Sequence, residues 1–233
     1  MEIIELKNVY KIYSDGTQAL NNVTFTVREG EIHGLIGENG AGKTTLMKIV
    51  YGSLQPSKGS MFIRGNPVIL KDPSDAITLG IGMVYQQFAL INSFTATENI
   101  ILGFEPSKRI LVDIEEAEGL VGKLSEETGL DVNPKARVGS LPIGSKQRVE
   151  ILKMLFRGAK ILILDEPTSV LTPTEIKDFF TILLRLRNQG ATIILVTHKL
   201  EEVLEICDRI TVLRNGKVSG VLDAKDSTPQ ILA

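Results

Sequence analysis

Residues 37–44 constrain the fold of this chain more than any other segment. They read Gly-Glu-Asn-Gly-Ala-Gly-Lys-Thr and fit the pattern G-x-x-x-x-G-K-[ST]. The apolar run at 32–36 predicts a buried strand before this segment, and the spacing of apolar residues at 46–49 predicts a helix after it. Backbone N–H groups in such a turn, together with the helix N-terminus, attract an anion. The sequence therefore predicts a phosphate-binding loop, which favours an α/β nucleotide-hydrolase fold.

The loop supplies most of the candidate nucleotide-binding residues. Lys43 adds a mobile positive charge that also makes it a candidate catalytic residue, and the Thr44 hydroxyl is a candidate ligand of Mg²⁺. The candidate nucleotide-binding residues of this segment are Gly37, Glu38, Asn39, Gly40, Ala41, Gly42, Lys43, Thr44 and Thr45.

A second apolar run, residues 161–164, is followed directly by Asp165 and Glu166. A strand that ends in two acids places carboxylates at the carboxyl edge of a parallel sheet, beside the phosphate loop. We expect Asp165 to hold hydrated Mg²⁺ and Glu166 to orient or deprotonate the attacking water. In isolation the same pair is typical of the start of a solvated loop.

Three further side chains are candidates with alternatives that the residues leave open. His198 follows the apolar run 192–196, where an imidazole can reach a terminal phosphate, although it also suits a polar loop. Tyr13 can stack on a base or simply pack against the protein. Gln86, after the run 81–85, offers an amide oxygen to metal or water, and Gln87 is an equal candidate.

The apolar pattern predicts an α/β architecture with a parallel-sheet core. Between two of the buried strands, residues 174–189 have helical periodicity, with Thr172 and Glu175 as a capping box and Gly190 as the stop. Residues 95–157 are expected to form helices and no strand. The segment 88–94 either faces a protein partner or packs in the core. Buried strands are predicted at 31–36, 81–85, 161–164 and 192–196, and a small antiparallel sheet from 3–10, 23–27, 61–63 and 68–70.

Composition excludes several classes of protein. The chain has 233 residues with a net charge of −2, which is too small for whole-surface attraction to nucleic acid or anionic lipid. The single cysteine excludes an internal disulfide and a cysteine-cluster metal site, and two histidines leave little scope for histidine metal ligation. Cys207 is expected to be a small buried apolar residue. Since no apolar run approaches the roughly 18 residues of a membrane span, we expect a cytoplasmic protein.

Residues 141–149 read Leu-Pro-Ile-Gly-Ser-Lys-Gln-Arg-Val and lie between the phosphate loop and the acidic strand. With its motifs in this order, the whole chain resembles the nucleotide-binding domain of ATP-binding cassette (ABC) transporters, whose signature motif occupies that position. The resemblance implies a single phosphate-loop NTPase domain. Its RecA-like core, with the antiparallel β subdomain, would comprise residues 1–88 and 158–233, and an inserted α-helical subdomain would comprise 89–157.

The resemblance also implies roles and partners. ATP and Mg²⁺ are the expected cofactors, Tyr13 corresponds to the adenine-stacking aromatic residue, and Gln86 to the glutamine of the Q-loop, a ligand of the metal. Glu166 corresponds to the catalytic glutamate and His198 to the switch histidine. Two cassettes are expected to meet head to tail, so that the signature of one completes the ATP site of the other. The expected signature residues are Leu141, Pro142, Ile143, Gly144 and Ser145.

Within the family, residues 30–36, 149–153 and 171–173 look most like the importers of sugars and nucleosides, whose subunits usually carry two cassettes in one chain. The resemblance is to the N-terminal cassette. It implies a peripheral protein on the cytoplasmic face of the membrane that contacts a permease and no nucleic acid. Two alternatives are a non-transport ABC ATPase acting on the ribosome or DNA, and an unrelated phosphate-loop kinase or GTPase.

Pro142 is a departure from the family pattern, because a serine hydroxyl is expected there. Proline has neither a hydroxyl nor a backbone N–H, so two potential donors are missing. Proline suits the first turn of a helix, so the helix itself can persist. We therefore expect the ATP site completed by this signature to be weak.

Overall fold

The computed structural model describes residues 1–108 and 111–228. The strands are β1 (Glu2–Ile12), β2 (Gln18–Arg28), β3 (Ile32–Ile36), β4 (Lys58–Ile63), β5 (Asn66–Val68), β6 (Ile81–Val84), β7 (Ser107–Lys108), β8 (Leu111–Val112), β9 (Ile161–Asp165), β10 (Thr192–Thr197), β11 (Arg209–Arg214) and β12 (Lys217–Asp223). The helices are α1 (Lys43–Val50), α2 (Pro73–Thr78), α3 (Ala96–Ile101), α4 (Ile114–Thr128), α5 (Ile143–Phe156), α6 (Pro173–Asn188) and α7 (Leu200–Ile206).

A six-stranded sheet in the order β12-β11-β3-β10-β9-β6 forms the centre of the fold. Its first five strands in the chain, β3, β6, β9, β10 and β11, pair in parallel, and β12 pairs antiparallel at one edge. Parallel strands covered on both faces read as continuous apolar runs, which is why four of them are recognisable in the sequence. The predicted α/β fold with a parallel-sheet core is confirmed.

The two faces of this sheet are buried in different apolar clusters. Ile32 and Ile36 of β3 face a cluster formed with α3 to α7, whereas Leu35 faces a cluster formed with α1 and the antiparallel sheet. Side chains along a strand alternate between faces, so one short strand contributes to both clusters. The strand that leads into residues 37–44 is therefore fixed from both sides.

The predicted antiparallel sheet is confirmed, with one correction to its limits. It has four strands in the order β2-β1-β4-β5. We predicted a strand at residues 68–70, but β5 runs Asn66–Val68 because the two-residue turn at Arg64 and Gly65, both with positive φ, pairs Ile63 with Asn66. A tight hairpin turn sets the register, so the strand begins directly after it.

Helices α3, α4 and α5 form the segment between β6 and β9, where their buried side chains belong to a single cluster. The prediction that residues 95–157 contain no strand was wrong, since β7 and β8 pair there. Two-residue strands are too short to show alternation in a sequence. The division into residues 1–88 with 158–233 and 89–157 stays a prediction.

Helix α6 begins and ends as its sequence indicates. The Thr172 hydroxyl accepts the Glu175 N–H, and the Glu175 carboxylate accepts the Thr172 N–H. The helix ends at Asn188, and Gly190 follows with a φ of 95°. Both donors that the first turn would leave unpaired are satisfied, as in a capping box.

Cys207 is buried beside α7, as expected of a small apolar residue, and burial raises the pKa of its thiol. Among residues 1–108 and 111–228, no helix combines the length and apolarity that crossing a bilayer requires.

His33 of β3 belongs to a cluster of buried polar side chains. His33 is fully buried, with Nδ1 2.8 Å from Glu31 Oε1 and Nε2 2.8 Å from Thr211 Oγ1. Arg209 also donates to Glu31 Oε1, at 3.2 Å. Burial lowers the pKa of His33 from its ordinary 6.5, and the Arg209 charge lowers it further, although the Glu31 hydrogen bond and charge oppose both effects. The fold therefore favours neutral His33.

This group predicts a loss of stability in mild acid. In the unfolded chain His33 binds a proton near pH 6.5, whereas in the folded protein its pKa is lower. The free energy of unfolding therefore falls as the pH drops below 6.5, by up to about 1.4 kcal/mol per pH unit. His33→Gln should flatten the curve between about pH 5 and 6.5, as measured by urea unfolding. Other groups titrate in both proteins, so an unchanged slope would contradict this assignment.

Candidate functional site

The carboxyl ends of three neighbouring strands bring the predicted residues to one edge of the sheet. Residues 37–44 follow β3, Asp165 ends β9 and His198 follows β10. In the register of the sheet, Thr197 lies beside Ile36 and Val196 beside Asp165. Ligands of open parallel sheets bind at this edge, so the topology places the candidates where the sequence predicts them.

The phosphate loop wraps around its own lysine. Lys43, the first residue of α1, is buried and donates from Nζ to the carbonyl oxygens of Gly37 at 2.6 Å and Glu38 at 3.2 Å. Gly40 and Gly42 have φ values of 82° and 105°, which glycine adopts without steric cost. The loop therefore encloses a cationic centre, as an anion site requires.

The hairpin of β11 and β12 supports the loop from behind. The Gly216 N–H donates to the Ala41 carbonyl, and the Asn21 N–H donates to the Gly216 carbonyl. A side chain at Gly37 would collide with the carbonyl oxygen of Leu213. We did not predict this hairpin, although Asn215-Gly216 between two apolar runs is a strong hairpin signal.

Thr44 and Asp165 meet as expected of shared metal ligands. The Thr44 hydroxyl lies 3.3 Å from Asp165 Oδ2 and donates to it. Burial raises the pKa of Asp165 above its ordinary 3.8, and the Glu166 charge raises it further, while the Thr44 hydrogen bond and the Lys43 charge lower it. A buried carboxylate that is costly to ionise gains from a cation beside it.

Glu166 and His198 form a pair. His198 Nδ1 donates to Glu166 Oε1 at 2.9 Å, and the other carboxylate oxygen of Glu166, Oε2, is buried with no hydrogen-bond partner. Glu166 has a φ of 50°, an uncommon backbone conformation for a side chain of this size. Strained residues cluster at functional sites, and an unpaired buried acceptor is costly unless a ligand completes it.

The loop after Glu166 is held by residues that the sequence analysis missed. Thr168 Oγ1 donates to Glu202 Oε2 at 2.7 Å, and Lys199 donates to both the carbonyl and the hydroxyl of Thr168 at 3.2 Å. Gln147 of α5 donates to the Pro167 carbonyl at 2.9 Å. These contacts join residues 20 to 34 positions apart, and no local pattern announces them.

Tyr13 lies beside the site, with its exposed ring next to α1. Its hydroxyl is 3.2 Å from Thr45 Oγ1, and Lys11 Nζ lies 5.5 Å from the ring centre. The Tyr13 residue is 37% exposed, so the core does not enclose its ring. Gln86 and Gln87 are both exposed beyond β6, and neither makes a hydrogen bond to the other described residues.

The signature segment lies apart from the phosphate loop. A cavity of about 230 Å³ is lined by Pro142, Gly144 and Ser145 together with residues of α6. A separate cavity of about 620 Å³ is lined by the phosphate loop and His198, and the two share no residue. Within one chain, the signature residues and the phosphate loop thus line different cavities.

The segment 88–94 divides between the two environments that we considered. Leu90 packs against the apolar cluster of the helical segment, whereas Ile91 is 39% exposed. Core packing therefore explains part of this segment, and its exposed part keeps a partner role open.

Comparison with known proteins places this geometry in a family. The family model described as ABC transporter matches residues 20–169. The nucleoside import ATP-binding protein NupA of Lactococcus lactis subsp. cremoris (strain MG1363) is 48% identical over 231 residues, covering 99% of this chain and 46% of that protein. The ribose import ATP-binding protein RbsA 1 of Streptomyces avermitilis is 40% identical, covering 99% of this chain and 44% of that protein. This chain thus spans about half the length of the curated relatives it matches.

Among solved structures, the chain is similar to the dimeric, post-hydrolysis state of the ATP-binding cassette MJ0796 bound to ADP and Pi. The TM-score is 0.80 with 28% identity, over 96% of this chain and 100% of that one. The likeness extends over the whole cassette rather than over the phosphate loop alone.

The packing at Gly37 predicts an asymmetric response to alanine substitution. Gly37→Ala should destabilise the fold by about 1–3 kcal/mol more than Gly40→Ala does, because its Cβ would meet the Leu213 backbone. Gly40→Ala is the matched control, since a Cβ there meets nothing within 4 Å and costs only the strain of positive φ, about 1–2 kcal/mol. Urea unfolding of both variants measures the difference, and equal losses would contradict the packing argument.

Proposed function

Because this chain belongs to the ABC transporter family, we propose that it binds Mg-ATP at residues 37–45 and hydrolyses it to drive import of a small solute through a partner permease. The observation that carries the proposal is the Glu166 carboxylate, which His198 holds at 2.9 Å while Oε2 stays buried and unpaired at the edge where the phosphate loop lies. A water molecule that donates a proton to Oε2 would satisfy that atom.

The residues fit a Mg²⁺ ion held jointly by protein and nucleotide. Thr44 supplies a hydroxyl and Asp165 a carboxylate, both oxygen donors of the kind that Mg²⁺ prefers. Within residues 1–108 and 111–228, no group of three or more His, Cys, Asp or Glu side chains could hold a metal without the nucleotide. Bound Mg²⁺ would neutralise charge on the phosphate oxygens, and we propose Gln86 as a further ligand.

The chain's own groups account for binding. The loop N–H groups and the start of α1 would hold the phosphates, and Lys43 would exchange its carbonyl partners for phosphate oxygens. Tyr13 would stack on the adenine, since its ring is exposed beside α1. These contacts position the terminal phosphate against the Glu166 and His198 pair.

Glu166 and His198 would divide the chemical step. Glu166 would accept a proton from the attacking water as the oxygen approaches the terminal phosphate. His198 holds Glu166 through Nδ1, and with a second proton on Nε2 it could also donate to the phosphate. The products would be ADP and inorganic phosphate.

The solute is proposed from similarity. The relative at 48% identity is named for nucleoside import and the one at 40% for ribose import, so a nucleoside is favoured over a sugar. An ABC ATPase acting on the ribosome or DNA and a phosphate-loop kinase or GTPase have no such support, because both relatives are named as import proteins. The proposed place is the cytoplasmic face of the membrane, in contact with a permease and no nucleic acid.

A second cassette is the proposed partner, in a head-to-tail arrangement. The separation of the signature cavity from the phosphate-loop cavity supports this, because a second copy is needed to bring residues 141–145 to an ATP site. Relatives about twice as long as this chain are consistent with two cassettes in one polypeptide.

Replacing the proposed base should separate binding from turnover. Glu166→Gln keeps the shape of the side chain but removes the proton acceptor, so hydrolysis should fall roughly 10²–10⁴-fold. Mg-ATP affinity, measured by calorimetry, should stay close to that of the parent. Glu29→Gln makes the same change at an exposed acid distant in sequence from Glu166, and is the matched control. Full ATPase activity in Glu166→Gln would refute the assignment.

Pro142 predicts a gain of activity. It precedes α5 with no side-chain cap, so the helix start offers backbone donors but no hydroxyl. Pro142→Ser restores a hydroxyl and an N–H, and should raise the ATPase rate of a homodimer roughly fivefold, the effect of one added hydrogen bond of about 1 kcal/mol.

The control for this variant is Pro73→Ser, which makes the same change at the first turn of α2. Sizing with light scattering, in the Glu166→Gln background with Mg-ATP or Mg-ADP, would show whether restored serine also favours an ATP-dependent dimer. No change in either measurement would exclude a weakened signature.

A further inference from the structure

The stretch that carries Gln86 changes its attachment within a few residues. Val84, the end of β6, pairs with Leu164 in the central sheet. Two residues farther along, the backbone of residues 86–88 makes no hydrogen bond to the other residues that the structure describes. From Ala89 onward, the chain is bonded to the helical segment instead.

The attachment at Ala89 uses two buried side chains of α5. Glu150 Oε1 accepts the Ala89 N–H at 2.7 Å, and Lys153 Nζ donates to the Ala89 carbonyl at 3.4 Å. We call these two contacts the Ala89 clamp. Both backbone polar groups of Ala89 are thus held by two charged side chains of the signature helix, although Ala89 itself is exposed.

A second side chain repeats the arrangement two residues later. Asn99 of α3 accepts the Ile91 N–H at 2.8 Å and donates to the Ile91 carbonyl at 3.0 Å. The backbone groups of Ala89 and Ile91 are thus both bonded to side chains of the helical segment. Residues 89–91 are therefore attached by hydrogen bonds to α3 and α5 rather than to the central sheet.

Glu150 and Lys153, the charged side chains of the Ala89 clamp, are both buried. Glu150 and Lys153 are 4% and 8% exposed. Burial raises the pKa of Glu150 and lowers that of Lys153, while the charge of each opposes the shift in the other. Buried ionisable groups are costly to keep, and here each is directed at a backbone group of the same residue.

We propose that Glu150 and Lys153 are positioning residues for Gln86: by holding the Ala89 backbone, they limit where the Gln86 amide can lie when it meets the metal. This inference rests on the proposed function, since it takes Gln86 as a ligand of nucleotide-bound metal. Only two residues, Gln87 and Phe88, lie between Gln86 and Ala89, which is short enough for a displacement at Ala89 to move the Gln86 amide.

The test is a double-mutant cycle on Mn-ATP affinity, measured by the electron paramagnetic resonance of free Mn²⁺ in the Glu166→Gln background. Glu150→Ala should weaken Mn-ATP binding about 3–10-fold, and Gln86→Ala should weaken it by a similar factor. The double variant should be no weaker than Gln86→Ala alone, because Glu150 acts through Gln86. Glu150→Gln keeps an acceptor for the Ala89 N–H and should stay within about twofold of the parent.

Two further variants guard against a loss that is merely structural. Lys153→Met keeps the aliphatic stem and removes the donor, so it should reproduce part of the Glu150→Ala effect even if the alanine variant folds poorly. Glu126→Ala removes an exposed acid from α4 in the same segment and serves as the control. Thermal unfolding of each variant accompanies the affinities.

Each remaining outcome would overturn the proposal. Additive losses in the cycle, or no rescue by Glu150→Gln, would give Glu150 a general structural role. If Glu150→Ala is non-additive with Gln87→Ala and additive with Gln86→Ala, the clamp positions Gln87, and the proposed role toward Gln86 is wrong. If the parent itself fails to bind Mn-ATP, the proposed function fails; if it binds and Gln86→Ala changes nothing, only the positioning role fails.

Discussion

Backbone hydrogen bonding between β3, β9 and β10 fixes the functional edge of this molecule. The register that places Thr197 beside Ile36 and Val196 beside Asp165 also places the phosphate loop, the two acids and His198 within one short span. The strand register, rather than contacts between these side chains, brings them together. Apolar burial on both faces of β3 holds the register, so the site depends on the core beneath it.

Much of this edge could be predicted because its residues follow recognisable strands. The loop, Asp165, Glu166 and His198 each come directly after a buried apolar run, and parallel topology does the rest. The position of Gln86 relative to the metal could not be predicted, since it follows β6 in an exposed stretch where no pattern distinguishes it from Gln87. The roles of all these residues stay predictions.

Other features lay outside the reach of local patterns. Glu202 and Thr168 meet across 34 positions, and Glu150 reaches a peptide 61 positions away. Such contacts depend on how elements pack, which a single sequence does not encode in its spacing. The β7 and β8 pair was missed for the opposite reason, because it is too short to carry any periodicity. The hairpin at Asn215-Gly216 did carry a signal, the Asn-Gly dipeptide between two apolar runs, but a search for apolar runs alone does not detect it.

Helix α5 packs closely against the central sheet near its C-terminal end. A Cβ at Gly82 of β6 would lie 2.8 Å from the Cβ of Met154, so the last turns of the helix rest directly on sheet backbone. Pro142, at the other end, is exposed and about 18 Å away at 1.5 Å per residue. A tilt of α5 by about 10° about the contact at Gly82 would carry the signature end through about 3 Å, the length of one hydrogen bond.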